Sequence, residues 1–179
     1  MGKHMAINTF NTGAQLGAEL LQKAIQLPWS PYMAVNPNTG ERYVVKKSPG
    51  VIQDIPIEQA PELHALLSSH IENMPDFDPD RHTIGDNMLL ARYETNSSIP
   101  LHDDCGTINI NGIPSHAKHS LMFYLNDADG GELHFPERDI TIKPTLGAGA
   151  VFNAEEMHQV NTVNSGVRYG LLLRSYYPI

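Results

Sequence analysis

The chain has 179 residues, which suits one domain with a proper core and is too short for two of ordinary size. Twelve Lys and Arg against twenty Asp and Glu give a net charge of −8, which disfavours nucleic-acid and anionic-membrane partners. Cys105 is the only cysteine, so an internal disulfide is excluded and we expect a reducing, cytoplasmic setting. No apolar run approaches the ~20 residues that cross a bilayer, and no signal-peptide pattern opens the chain.

The first part of the chain predicts helical and hairpin support over residues 6–86. We interpret residues 1–5 as a cloning remnant before a native start at Met5, so His4 is excluded from any site. Leucines at helical spacing predict one helix within 13–27, and a longer apolar stripe predicts a second within 58–74. Between them, a Pro-Asn-Thr-Gly turn predicts a short strand over Arg42–Lys46.

The character of the sequence changes after residue 86, and we expect a β core over 87–179. Short β-rich runs with tight turns between them predict a sandwich or barrel rather than βαβ units. We therefore assign the chain to one mainly β domain with N-terminal helices, an α+β class. The predicted strands are Met88–Glu94, Ser120–Leu125, Glu132–Phe135, Ile140–Ile142, Ala150–Phe152, Gln159–Val163 and Val167–Tyr177.

One long stretch in this β-rich half, Cys105–Lys118, predicts no regular structure. A loop of this length in a compact domain is often a lid or a substrate-binding loop. A tolerated surface insertion is the alternative, and the sequence does not separate the two.

An H-x-D pair, His102 and Asp104, is followed downstream by His158. Because side chains alternate along a strand, His102 and Asp104 can face the same ion while Asp103 points away. Two imidazoles and one carboxylate can occupy one face of an octahedral ferrous ion and leave the other face open. Each histidine alone could equally be a surface or edge residue, so the prediction depends on the ordered set.

An arginine, Arg168, lies ten residues beyond His158, at the start of the last strong strand. An inward arginine in a small barrel is costly unless it meets an anion. It could hold a dicarboxylate co-substrate by a bidentate ion pair, or it could pair with a structural Asp or Glu. Arg174 shares its face of the strand, and two roles remain open for Arg174: support of the co-substrate pocket, or contact with an acidic substrate group.

Further short motifs accompany this set in order along the chain, and together they resemble the iron(II)- and 2-oxoglutarate-dependent dioxygenases, most closely the prolyl 4-hydroxylase group. The resemblance runs from about Leu89 to Tyr177. Many prolyl hydroxylases carry a tryptophan where Arg174 stands and a lysine where Arg168 stands. Besides H-x-D, the motifs are Arg92-Tyr93, Leu121-Met122-Phe123-Tyr124-Leu125-Asn126, Gly130-Gly131-Glu132-Leu133-His134-Phe135-Pro136, Pro144 with Gly147, Val151-Phe152, His158-Gln159-Val160 and Gly166-Val167-Arg168-Tyr169.

The resemblance implies a double-stranded β-helix, or jelly roll, with iron at its open end. His102, Asp104 and His158 would bind Fe(II), and Arg168 would pair with the distal carboxylate of the co-substrate 2-oxoglutarate. Tyr124 matches a tyrosine that bonds the same carboxylate, and Tyr93 matches a position near the substrate, although both could simply be core residues. Ascorbate is a further cofactor to be expected.

The activity implied is hydroxylation of a prolyl residue in a peptide or protein, with dioxygen consumed and succinate and CO2 released. The same chemistry on another side chain or a small molecule is the first alternative. A jelly-roll binding module without catalysis is a second, and a zinc hydrolase is disfavoured because no dedicated general base is evident. The Arg168/Arg174 spacing is similar to that of the nucleic-acid dealkylating branch. The acidic charge and the short distance from His158 argue against that branch, so we expect neither a nucleic-acid nor a membrane partner.

Overall fold

The computed structural model describes residues 5–36, 39–44 and 50–179, and it contains two α-helices and two short 3-10 turns within those ranges. The helices are α1 (Gln15–Ala24) and α2 (Pro61–Glu72), and the 3-10 turns are Ile57–Gln59 and Pro136–Arg138. The strands in chain order are β1 Ile7–Asn11, β2 Ser30–Pro31, β3 Met33–Val35, β4 Arg42–Val44, β5 Val51–Pro56, β6 Thr83–Ile84, β7 Asn87–Glu94, β8 Ile99–His102, β9 Thr107–Ile110, β10 Ile113–Tyr124, β11 Asp129–Gly130, β12 Leu133–Phe135, β13 Ile140–Ile142, β14 Ala148–Asn153, β15 His158–Val160, β16 Val163–Ser165 and β17 Val167–Pro178.

Both predicted helices are present, each shorter than its pattern. The second begins at Pro61, because a residue before proline is pushed out of the helical region and Ala60 accordingly has φ −149°. The preceding residues form the separate 3-10 turn instead. Leu63, Leu67 and Ile71 of α2 are buried against the sheet. His70, on the same stripe, stacks on Phe10 with ring centroids 3.9 Å apart and so packs at the edge of this cluster.

Most of the described strands form two sheets that face each other as a double-stranded β-helix, which confirms the jelly roll, while β3 with β4 and β11 with β16 form two separate two-stranded ribbons. The larger sheet has the order β1-β14-β10-β17-β7-β5-β2, with β6 added to β17 and β9 to β10. The smaller sheet has the order β13-β12-β15-β8. Every pairing in both sheets is antiparallel.

Strand alternation sends the two faces of the large sheet to different places. In β17, Leu171 and Leu173 pack under the helices in the largest apolar cluster. Leu172, between them, faces the space between the two sheets, where it packs against Met122 and Phe152 of the second cluster. The open end of that space is lined by residues of both sheets.

The prediction of an irregular stretch over Cys105–Lys118 is wrong. β9 and the first half of β10 form a hairpin there, with Ile113 paired to Ile110. The turn is Asn111-Gly112, with φ values of 52° and 84°, and this is the dipeptide that two-residue hairpin turns require. A β-hairpin, rather than an irregular loop, therefore follows the H-x-D motif.

Other boundaries also differ from the sequence prediction. Gln159–Val163 is divided into β15 and β16, because the chain leaves the small sheet after Val160. β1 and β5 were not predicted, although both lie in the large sheet. The predicted strand Arg42–Lys46 is seen as Arg42–Val44, and its last two residues lie outside the described part of the chain. None of the described helices is long and apolar enough to cross a membrane.

Leu67→Ala tests the packing of α2 on the sheet. Leu67 is fully buried, so truncation should leave a cavity and lower the free energy of unfolding by about 2–5 kcal/mol. Leu66→Ala on the same helix, at a half-buried position, is the matched control and should cost about 1 kcal/mol or less. Urea denaturation followed by circular dichroism measures both values. Equal losses in the two variants would contradict this packing.

Candidate active site

The structure brings His102, Asp104 and His158 together, with one potential ligand atom from each lying within 4.8 Å of the others. His102 ends β8 and His158 begins β15, and the two residues are directly opposite each other in the register. His102 Nε2 lies 3.9 Å from one carboxylate oxygen of Asp104, and His158 Nε2 lies 3.8 Å from the other. This cluster has the donor atoms and the spacing that a divalent ion needs.

Each histidine ring is oriented by the backbone of its own strand end. Nδ1 of His102 lies 2.8 Å from the carbonyl of Pro100, and Nδ1 of His158 lies 2.8 Å from the carbonyl of Glu156. Because a carbonyl only accepts, Nδ1 carries the proton and Nε2 is left with a lone pair for a metal. The structure thus prepares both rings in the same tautomer.

Asp104 reaches the cluster in a different way from the one the alternation argument assumed. β8 ends at His102, so Asp104 is not in a strand, and its backbone N–H is held by the carbonyl of Ala154. Asp103 is turned aside, as expected, and its carboxylate accepts the backbone N–H of Cys105. The segment after β8 therefore directs Asp104, and not Asp103, towards the cluster, which is the outcome that strand alternation predicted.

The electrostatics of the cluster suit metal binding. Burial alone would raise the pKa of Asp104, but the charges of Arg174 and His158 outweigh it and hold the pKa below its ordinary value. Burial lowers the pKa of His158, with the Asp104 charge opposing this only in part. A deprotonated carboxylate and a neutral imidazole are the forms that coordinate a metal, so neither group must lose a proton at neutral pH.

Arg168 is fully buried between the sheets and has no acidic partner among the described residues. Its Nε donates to the carbonyl of Gly131 at 2.8 Å, while Nη1 and Nη2 find no hydrogen-bond partner there. A buried guanidinium with two unsatisfied nitrogens is strongly destabilising unless an anion meets it. The alternative prediction, that Arg168 pairs with a structural Asp or Glu, is therefore wrong for the described residues. The arrangement fits a bound carboxylate.

Two tyrosines frame this guanidinium. The ring of Tyr93, opposite Arg168 in the register of β7 and β17, lies 5.5 Å from its Cζ, and the ring of Tyr124 lies 5.2 Å away. The Tyr124 hydroxyl accepts the N–H of Leu133 and donates to the carbonyl of Ile142. Burial raises the pKa of Tyr124, so the phenol stays protonated. The two predicted pocket tyrosines therefore both lie beside the cation.

A cavity of about 450 Å³ joins the cluster to Arg168. Gly131 borders the arginine closely, because a Cβ at this position would lie 2.8 Å from the Arg168 Cδ. Tyr93 lines the cavity and Tyr124 does not. Its walls are largely apolar and include Ile99, Met122, Leu133, Phe152, Val160 and Leu172.

Sequence reasoning missed the acid that Arg174 meets. Arg174 Nη2 lies 3.0 Å from an oxygen of Asp104, and its Nε donates to the Ser120 hydroxyl at 3.3 Å. The Asp104 charge raises the pKa of Arg174 further, so the guanidinium remains charged. The only sequence signal was the even spacing from Arg168, which places both arginines on one face.

Two other polar groups support the region without lining the cavity. Arg138 bonds both the Glu156 carboxylate and the carbonyl of Met5, which ties the start of the chain to the turn before His158. His119 lies between the Ser175 hydroxyl and Asp76, a serine–histidine–aspartate order. Because both Ser175 and His119 are fully buried, this second group cannot act on a substrate.

His158→Ala tests the metal cluster. Loss of one of three ligands should weaken Mn(II) binding by more than about 100-fold, since even a lost supporting contact costs 10- to 100-fold. His116→Ala is the matched control, because His116 bonds Thr107 on the hairpin and is outside the cluster. Isothermal titration calorimetry at constant pH measures both affinities. Unchanged binding in His158→Ala would place the metal elsewhere.

Comparison with known proteins agrees with this site. The family model of the 2OG-Fe(II) oxygenase superfamily matches residues 88–173. No curated protein matches the sequence. A viral collagen prolyl hydroxylase from Paramecium bursaria Chlorella virus-1, solved as a 2OG complex, has a TM-score of 0.71 at 17% identity and covers 98% of this chain and 97% of its own.

Two further structures are similar over nearly the whole chain. A prolyl-4-hydroxylase of Pseudomonas putida has a TM-score of 0.64 at 18% identity, covering 98% of this chain and 93% of its own. A prolyl hydroxylase of Trichoplax adhaerens, in complex with a hypoxia inducible factor peptide fragment, has a TM-score of 0.69 at 17% identity, covering 98% and 84%. At these identities the structures share the fold. Residues 88–173, the jelly-roll core, are similar to the 2OG-Fe(II) oxygenase superfamily.

Proposed function

We propose that this protein is an Fe(II)- and 2-oxoglutarate-dependent dioxygenase that hydroxylates prolyl residues in a peptide or protein. The proposal rests on two Arg168 nitrogens that no described residue satisfies, in a cavity that is also lined by His102, Asp104 and His158. A metal cluster and a separate buried cation in one cavity suit a co-substrate that chelates at one end and is anionic at the other.

The residues of this chain would have separate roles in metal binding and in co-substrate binding. His102, Asp104 and His158 would hold Fe(II), with Nε2 of each ring already turned to it. Arg168 would bind the distal carboxylate of 2-oxoglutarate, and this contact would fix the length of molecule that can span the cavity. When bound, the ferrous ion and 2-oxoglutarate supply the oxidation: one oxygen atom of dioxygen goes into succinate as CO2 leaves, and the other goes into a substrate C–H bond.

The apolar walls of the cavity would exclude water from the site. Leu133, Val160 and Leu172 are among the apolar residues that line the cavity, so a hydrocarbon group is the part of a substrate that fits there. No side chain is required as a nucleophile or general base for hydroxylation. Exclusion of water matters because it limits oxidation to the bound group.

The prolyl substrate is supported by likeness rather than by a contact in this chain. The three structures compared above are prolyl hydroxylases, and the Trichoplax enzyme is in complex with a peptide. The cavity opens to the surface, so a residue within a longer peptide can enter it. Hydroxylation of another side chain or of a small molecule uses the same site.

We propose a cytoplasmic location for the protein, because Cys105 is an exposed free thiol and such thiols are typical of reducing compartments.

Turnover of 2-oxoglutarate tests the activity. Protein loaded with Fe(II) under anaerobic conditions should form succinate when oxygen is admitted, and proline-containing peptides should stimulate this. His158→Ala is the inactive reference. Succinate measured by mass spectrometry at the same level in both proteins would rule out the dioxygenase, and with it a catalytic rather than merely binding role. Succinate that no prolyl peptide stimulates would remove only the prolyl substrate.

Arg168→Met tests the anchor for 2-oxoglutarate. The variant keeps much of the apolar stem but loses a charged bidentate contact, so the KM for 2-oxoglutarate should rise roughly 10- to 100-fold. Arg42→Met, at an exposed ion pair with Asp54, is the matched control and should leave the KM unchanged. The KM is read from initial rates of succinate formation. An unaltered KM in Arg168→Met would refute the role of this arginine.

A further inference from the structure

Arg174 contacts the carboxylate of the metal cluster. We propose that Arg174 is a positioning residue that occupies one oxygen of Asp104, so that this carboxylate offers a metal only its other oxygen. The inference depends on the proposed function, because it assigns Asp104 as a ligand. The inference extends the proposed function by giving a role to Arg174, which would bind neither the metal nor 2-oxoglutarate.

The contact is fixed at both ends of the guanidinium. Nη2 donates to Asp104 at 3.0 Å, and Nε donates to the Ser120 hydroxyl at 3.3 Å. Ser120 is directly opposite Arg174 in the register of β10 and β17, so the second contact lies across adjacent strands of the sheet. Because the guanidinium is planar, two donors in different directions determine its orientation. The Asp104 side chain is 8% exposed, which leaves little water to compete.

Asp104 needs such a partner more than the histidines do. Each histidine has one nitrogen available, and a backbone carbonyl of its own strand end already sets the ring. A carboxylate has two equivalent oxygens and can bind a metal through one or both. Asp104 also lies beyond the end of β8, where the ladder no longer constrains it. Both Asp104 oxygens lie near the histidine nitrogens, so the backbone alone does not select one.

The number of oxygens that Asp104 supplies determines how much of the metal stays open. An octahedral ion with two imidazoles and one carboxylate oxygen keeps an open face for co-substrate and dioxygen. If both oxygens of Asp104 were bound, one open position would be lost. Arg174 therefore protects the open face by engaging an oxygen that would otherwise compete for it.

Water-proton relaxation with Mn(II) as the sole metal counts the open positions without any turnover. Relaxation enhancement scales with the exchangeable waters on the ion, so it reports directly on how many positions the protein leaves. In Arg174→Met both Asp104 oxygens become available, and the enhancement per bound Mn(II) should fall by about one third as one of three waters is lost. Arg174→Lys keeps a cation beside the oxygen and should stay near the wild-type value. Arg42→Met controls for the loss of a surface arginine and should match wild type.

Each result supports or overturns the inference. Wild-type enhancement in Arg174→Met at full Mn(II) occupancy overturns it, and so does a lysine variant that falls as far as the methionine variant. Infrared difference spectra of wild type with isotope-labelled aspartate give a measurement that needs no folded variant. A one-oxygen carboxylate signature on adding Mn(II) is expected, and a two-oxygen signature overturns the proposal. If wild type and His158→Ala bind Mn(II) equally, the metal site itself fails, and that outcome is distinct from the others.

Discussion

The two faces of β17 connect the stability of this protein to its chemistry. Leu171 and Leu173 pack under the helices, while Arg168 and Arg174 point between the sheets from the same strand. Because the side-chain period of a strand is two, a slip of one residue would exchange these sets. The apolar core thus fixes the register that carries two cations to the site, and burial of a guanidinium at a cost of several kcal/mol is tolerated only because that register is over-determined.

The two arginines illustrate different uses of the same side chain. Arg174 is neutralised by an acid of the protein, and the pair is complete without a ligand. Arg168 is left with two nitrogens that no described residue satisfies. A bound carboxylate would satisfy both nitrogens and so offset part of the cost of burying them. Both arginines are charged, so charge does not distinguish their proposed roles. The presence of an acidic partner beside Arg174 and its absence among the described residues beside Arg168 does.

Much of the fold could be predicted from the sequence, because strand periodicity and turn residues are local signals. The metal cluster was predicted from the order of its members along the chain, since His102 and His158 meet only across paired strands. The spacing of β-rich runs after residue 86 predicts the paired sheets, and Ile140–Ile142 is correct to the residue. The stretch 105–118 failed because its polar, alternating residues form a ribbon that exposes much of its surface, and the Asn-Gly turn was the only strong signal. The Arg174–Asp104 contact joins residues 70 apart in the chain, and no pattern within a short window encodes such a pair.

Arg138 has a consequence for how the protein can be handled. It connects the backbone at Met5 to Glu156, whose carbonyl in turn orients the His158 ring. β1 pairs along β14 immediately after this contact, so the first strand lies against the one that leads to His158. A truncation that removes Met5 should therefore act on the His158 ring through three linked hydrogen bonds, from Met5 to Arg138, from Arg138 to Glu156 and from Glu156 to His158. For preparations meant to report metal affinity, the carboxyl end, where Ile179 is largely exposed, is the safer point of attachment.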